Sequence, residues 1–141
     1  MFRTIVVGTD GSGTAAAAVA QAAELASLNG GTLIVVSAYS PPKDVAPPFG
    51  DAGGTPPVEI VKGLLEDVER RFGSTATLRT VAREGSPADA LLDVAEEEKA
   101  DVIVVGNKGM TGAKRFVLGS VPNAISHHAP CHVLIVHTTE G

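Results

Sequence analysis

Short, unbroken apolar runs alternate along the chain with longer stretches whose apolar positions recur at helical spacing. The runs fall at residues 4–8, 32–38, 75–82, 101–106 and 131–137, and Ile5-Val6-Val7 and Val102-Ile103-Val104-Val105 are apolar without alternation. Strands that are apolar on both sides fit a parallel sheet covered on both faces.

Between the runs lie four predicted helices. The first, from residue 12 to about 28, is rich in alanine, with Val19, Ala22, Ala23 and Ala26 on one stripe and Gly30-Gly31 behind it. The second, Val58–Phe72, aligns Val61, Leu64, Leu65, Val68 and Phe72, and Gly73 is expected to stop it. The third opens on Ser86-Pro87-Ala88-Asp89, a serine cap followed by proline and an early acid. It runs through Leu91, Leu92 and Ala95 to Glu96-Glu97-Glu98, an acidic tail expected to be solvated. The fourth spans residues 121–128 and is stopped by Pro130.

The order βαβαβαβαβ predicts an α/β fold, a single doubly wound five-stranded parallel sheet with helices on both faces, and the strand order expected of it is 3-2-1-4-5. No internal repeat or second domain is visible, so residues 1–141 read as one domain. Prolines and glycines crowd residues 41–57, which predicts a long surface loop, expected to cover a bound base. In open α/β sheets ligands bind beyond the carboxyl ends of the strands, where the strand order reverses. Gly8-Thr9-Asp10-Gly11-Ser12, Ala38-Tyr39 and the loop after Val105 are therefore expected to meet.

Composition narrows this picture. The content of 44% hydrophobic and 19% charged residues is that of a globular chain. No run reaches the roughly 20 apolar residues of a spanning helix, and the N-terminal block is too short for a signal peptide. One cysteine makes no internal disulfide, and a cytoplasmic protein is expected. A net charge of −5 argues against a nucleic-acid partner. Yet between Asp101 and Glu140 there is no acidic residue, while Lys108, Lys114 and Arg115 cluster. A compact basic loop on an acidic protein suits a small polyanion.

That loop runs Gly106-Asn107-Lys108-Gly109-Met110-Thr111-Gly112 and on to Gly119-Ser120-Val121-Pro122. Glycines let backbone amides approach an anion. Ser120 can cap the following helix and Pro122 fits its first turn, which makes a phosphate site. The same glycines also serve as plain turn formers, and Asp10-Gly11 reads equally as an ordinary turn.

Other chemistries fit poorly. Gly8 and Gly13 have P-loop spacing, but Thr14-Ala15 stand where Lys-Ser/Thr is required. Four Phe, one Tyr and no Trp give little to sandwich a flavin. His132 and His137 fall on opposite faces of a strand, and His127 and His128 end a helix. Neither pair builds a metal site. Cys131 has no base placed to activate it, and no catalytic residues are identified.

The spacing Gly-x2-Gly-x9-Gly-Ser, filled by Gly106, Gly109, Gly119 and Ser120, resembles the signature of the ATP-binding branch of the universal stress protein family. Val6-Val7-Gly8-Thr9-Asp10-Gly11-Ser12, Gly85-Ser86-Pro87-Ala88-Asp89 and Val133-Leu134-Ile135-Val136 extend the resemblance along nearly the whole chain. It implies an ATP-binding regulatory protein acting through its bound state. Gly106 and Gly109 would contact ribose and phosphates, while Gly119, Ser120 and Val121 would hold phosphate oxygens. Gly8, Thr9 and Asp10 would flank the nucleoside, with Asp10 near the ribose or a divalent metal, Mg or Mn. Ala38 would offer backbone groups to the adenine edge and Val105 would pack on the base. Pro122 stands where other members carry a hydroxyl residue, so one contact to a terminal phosphate would be missing.

Asn107, Ser120-Val121-Pro122 and the ending Val-Leu-Ile-Val-His-Thr-Thr are similar to the actinobacterial branch that includes cyclic AMP binders. Cyclic AMP is therefore the alternative ligand. A slow ATPase is a further alternative, though the chain shows no evident general base. The apolar edge strand and the resemblance together imply a homodimer through the last strand, residues 131–137, and the lack of a long apolar run predicts no membrane partner.

Overall fold

The computed structural model describes residues 2–40, 56–107 and 120–137. The described elements are β1 (Thr4–Gly8), α1 (Gly13–Asn29), β2 (Thr32–Tyr39), α2 (Val58–Phe72), β3 (Thr77–Glu84), α3 (Pro87–Glu97), β4 (Val102–Gly106), α4 (Ser120–His128) and β5 (His132–Val136). The strands form one five-stranded sheet in the order β3-β2-β1-β4-β5, and every neighbouring pair is parallel. The expected strand order, 3-2-1-4-5, is the order observed.

Alternation along each strand divides the core into two layers. Ile5 and Val7 of β1, Leu33 and Val35 of β2, and Val102 and Val104 of β4 pack with the alanine stripe of α1 and with Val61, Leu65 and Val68 of α2. Val6, Ile34, Val36, Ala38, Ile103 and Val105 face the other way, onto Ala90, Leu91, Val94 and Ala95 of α3 and Ile125 of α4. Burial of a Val, Leu or Ile side chain is worth about 1.5–3 kcal/mol. The central strands, buried on both faces, therefore carry much of the stability.

Local signals set most of the helix ends. Ser12 caps α1, its Oγ accepting from the Ala15 amide at 3.1 Å, and Gly30 leaves the helix in the left-handed conformation. Ser86 caps α3 in the same way through the Asp89 amide. Gly73, by contrast, stays right-handed at φ −63°. The chain then turns once more, with the Thr75 amide on the Phe72 carbonyl. That extra turn displaces β3 to Thr77–Glu84, two residues later than the apolar pattern suggests. The expected extent of α4 also shifts, because Ser120 lies inside its first turn rather than ahead of it.

The acidic tail of α3 is more than a solvated end. Arg83 of β3 makes two bonds to Glu97, 2.8 and 2.7 Å, and Arg79 makes two to Glu98. The Arg83 guanidinium beside Glu97 holds that carboxyl below its ordinary range. The expected loop at 41–57 lies largely outside the described residues. Its margins meet, however, with the Ser40 amide donating to the Pro56 carbonyl at 2.9 Å.

Candidate functional site

The strand order reverses between β1 and β4: β1 is followed in the chain by β2 on one side, while β4 lies on the other. The residues at the carboxyl ends of these strands are Gly8, Ala38 and Gly106, with Val105 just inside. Gly8 pairs with Val36, so Ala38 extends past the end of β1 on its flank. Val7 pairs with Val104, which places Val105 beside Gly8 on the other flank.

One face of this crevice is common to several of the expected contacts. Ala38 and Val105 belong to the same buried layer, and Val121 packs against it from α4. Gly8 joins them through α3, because a Cβ on Gly8 would stand 3.0 Å from Leu91 Cδ1. The crossover helices run opposite to the strands, so α4 begins at the carboxyl end of the sheet. Its first residues, Ser120 and Val121, are thereby brought to the crevice that Gly8, Ala38 and Val105 line.

The turn after β1 is held by a set of short bonds. The Thr9 amide donates to the Val36 carbonyl at 3.0 Å, and the Ser37 hydroxyl donates to the Thr9 carbonyl at 2.8 Å. Thr9 Oγ1 then accepts the Gly11 amide at 3.1 Å, and Asp10 Oδ1 accepts the Ser12 amide at 2.9 Å. Gly11 takes φ +86°, and a Cβ there would lie 2.7 Å from Leu64 Cδ2 on α2. A side chain at Gly11 would be strained and crowded at once. Asp10 is exposed. Ser37, a buried hydroxyl in the otherwise apolar run 33–38 of β2, was not singled out by sequence. Its signal is the lone polar residue among apolar ones.

Electrostatics distinguish the helices that begin at this end. The first turns of α2 and α3 carry Glu59 and Asp89, whereas those of α1 and α4 carry no acid. The partial positive charge at the α4 N-terminus thus has no carboxylate in its own first turn. First-turn amides lack intrahelical partners. Hydrogen-bond donors of this kind suit a phosphate-bearing ligand.

Asp10 is the one residue expected to meet a metal. No cluster of three or more His, Cys, Asp or Glu that could hold an ion occurs among the described residues. A hard cation at Asp10 would draw its other oxygens from ligand phosphates and water, as magnesium commonly does. Gly109 and Gly119, with Lys108, Lys114 and Arg115, lie outside the described residues. Cys131 is partly buried, which pushes its thiol up and leaves it a poor nucleophile. No helix among the described residues is long and apolar enough to cross a membrane.

Known proteins give this arrangement a context. The family model described as the universal stress protein family matches residues 1–137. A universal stress protein of Mycobacterium tuberculosis is 38% identical over 98% of each chain. A crystal structure of a universal stress protein in complex with cAMP superposes with a TM-score of 0.76, at 32% identity over 98% of both chains. The universal stress protein UspA from Lactobacillus plantarum matches at TM-score 0.79 and 23% identity, covering 96% of this chain and 97% of its own. With the family model spanning residues 1–137 and a relative 38% identical over 98% of each chain, the chain belongs to the universal stress protein family.

Proposed function

We propose that this chain is a cytoplasmic adenine-nucleotide-binding regulatory protein, which takes ATP and acts through its bound state. A single observation carries the reading. Gly8, Ala38, Val105 and Val121 converge on one face of the β1/β4 reversal, next to a helix N-terminus with no acid in its first turn. An apolar wall for a base and a phosphate-seeking helix end are the two halves of a nucleotide site.

In this reading the whole of residues 1–141 is one nucleotide-binding domain. Val105 packs on the base and the Ala38 backbone meets its edge. Gly8, Thr9 and Asp10 flank the ribose, and Gly106, Gly109, Gly119, Ser120 and Val121 hold the phosphates. Magnesium or manganese, carried in with the triphosphate, is met by Asp10. The domain pairs with a second copy through β5, the edge strand on which Leu134 and Ile135 remain 41% and 37% exposed.

A second reading is favoured by one likeness. The structural neighbour at 32% identity is a complex with cAMP, which supports the cyclic nucleotide as the ligand. One phosphate in place of three would leave the base wall unchanged and would remove the need for a metal.

Calorimetric titration of nucleotide-stripped protein with ATP plus magnesium, and separately with cyclic AMP, decides between them. Micromolar binding of ATP supports the first reading. Tight cyclic AMP with weak ATP transfers the protein to the second, and binding of neither removes both.

A further inference from the structure

Ser37 is the one buried polar side chain among the described residues, only 2% exposed and set in the middle of an apolar strand. A buried hydroxyl is destabilising unless it finds a partner. This one finds its partner outside its own strand, on the Thr9 carbonyl at 2.8 Å. By the alternation of β2, Ser37 shares the face of Leu33 and Val35 and so lies opposite Ala38 and the base wall.

The position of that bond is informative. The main-chain ladder between β1 and β2 ends at the Gly8–Val36 pair, and the Thr9 amide reaches back to Val36. Beyond this point β1 leaves the sheet while β2 continues to Tyr39 against β3. The Ser37 hydroxyl therefore grips the first peptide group of the departing turn. Everything after it depends on the direction in which Thr9 leaves: Thr9 Oγ1 holds the Gly11 amide, and Asp10 Oδ1 holds the Ser12 amide, where α1 is capped.

We propose that Ser37 is a positioning residue for the candidate nucleotide site, fixing the Thr9–Asp10 turn through the Thr9 carbonyl without itself touching the ligand. The inference rests on the nucleotide-binding reading above for its functional half only. Its structural half concerns the turn alone.

The test compares wild-type protein, Ser37→Ala, and Asp101→Ala as a control. Asp101 accepts the Arg3 and Thr4 amides at 2.9 Å and so anchors the opposite end of β1. In Ser37→Ala the affinity for ATP or cyclic AMP, whichever the wild type binds, should fall about tenfold, the scale of an orphaned polar group. The Asp101→Ala variant, weakened in the same strand but far from the turn, should keep wild-type affinity. Amide exchange read by NMR in the absence of nucleotide should quicken at Thr9, Gly11 and Ser12 in Ser37→Ala and nowhere within β1. Unchanged affinity in Ser37→Ala overturns the proposal, as does an equal loss in Asp101→Ala. Should the wild type bind neither nucleotide, the functional reading fails on its own. The exchange measurement then decides the structural claim, which unaltered protection at the three amides would overturn.

Discussion

Leu91 Cδ1 lies 3.0 Å from the point at which a Cβ on Gly8 would stand, so α3 closes onto the end of β1 and Leu91 would have to give way to a side chain there. The contact ties the candidate base wall to the packing of α3. Gly8→Val should therefore cost about 1–3 kcal/mol by overpacking and should weaken nucleotide binding as Leu91 is displaced into the crevice. Urea unfolding of the variant, alongside a nucleotide titration, checks both. Wild-type stability would show that Leu91 yields freely and that Gly8 is not sterically required.

The acid side of the stability profile depends on Asp101. Its Oδ2 accepts the amides of Thr4 and Arg3, and these two bonds hold the carboxyl below its ordinary value. A carboxylate depressed in the folded state contributes stability above its unfolded pKa and loses it as pH falls through the folded one. The contribution should thus be complete above about pH 4, the unfolded range, and should fade below that. Asp101→Ala should lose roughly 1–2 kcal/mol at neutral pH. The gap between variant and wild type should close in strong acid. Denaturant curves at a series of pH values read this directly.

Lys99 offers a gain rather than a loss. It is the only non-glycine at positive φ among the described residues, at 54°. It follows α3 in a left-handed closure, with its amide on the Glu96 carbonyl and the Ala100 amide on the Ala95 carbonyl. A side chain in this conformation costs roughly 1–2 kcal/mol, part of which glycine returns to the flexible unfolded chain. Lys99→Gly should raise stability by about 0.5–1 kcal/mol. A thermal melt no higher than the wild type's would argue against it.

Much of this architecture was legible in the sequence because buried parallel strands leave continuous apolar runs. Ile5-Val6-Val7 and Val102-Ile103-Val104-Val105 mark β1 and β4 without ambiguity, and Ser12 and Ser86 announce their helices. The edge strand β3 was harder. Its residues are mostly half-exposed, so Thr75-Ala76 carry the same pattern as the strand itself, and the additional turn at Gly73 left no local signal. The pairing of Arg79 and Arg83 with Glu98 and Glu97 joins residues 19 and 14 positions apart, a relation set by the docking of α3 on the sheet. At the candidate site, the alternation of strands and helices pointed to the carboxyl ends of the strands, where the order reverses between β1 and β4. Ser37 stands out as a polar residue in an apolar run, but its bond to Thr9 could not be read, because the partner is a main-chain carbonyl that no side-chain pattern records.

Backbone amide NMR during a titration with ATP plus magnesium, repeated with cyclic AMP, tests the location of the site most directly. Shifts should concentrate at Gly8, Thr9, Ala38, Val105, Gly106, Ser120 and Val121, at one end of the sheet. Asp101 and His132, at the other end, should stay still. Shifts centred on that other end, or none with either nucleotide, would contradict it.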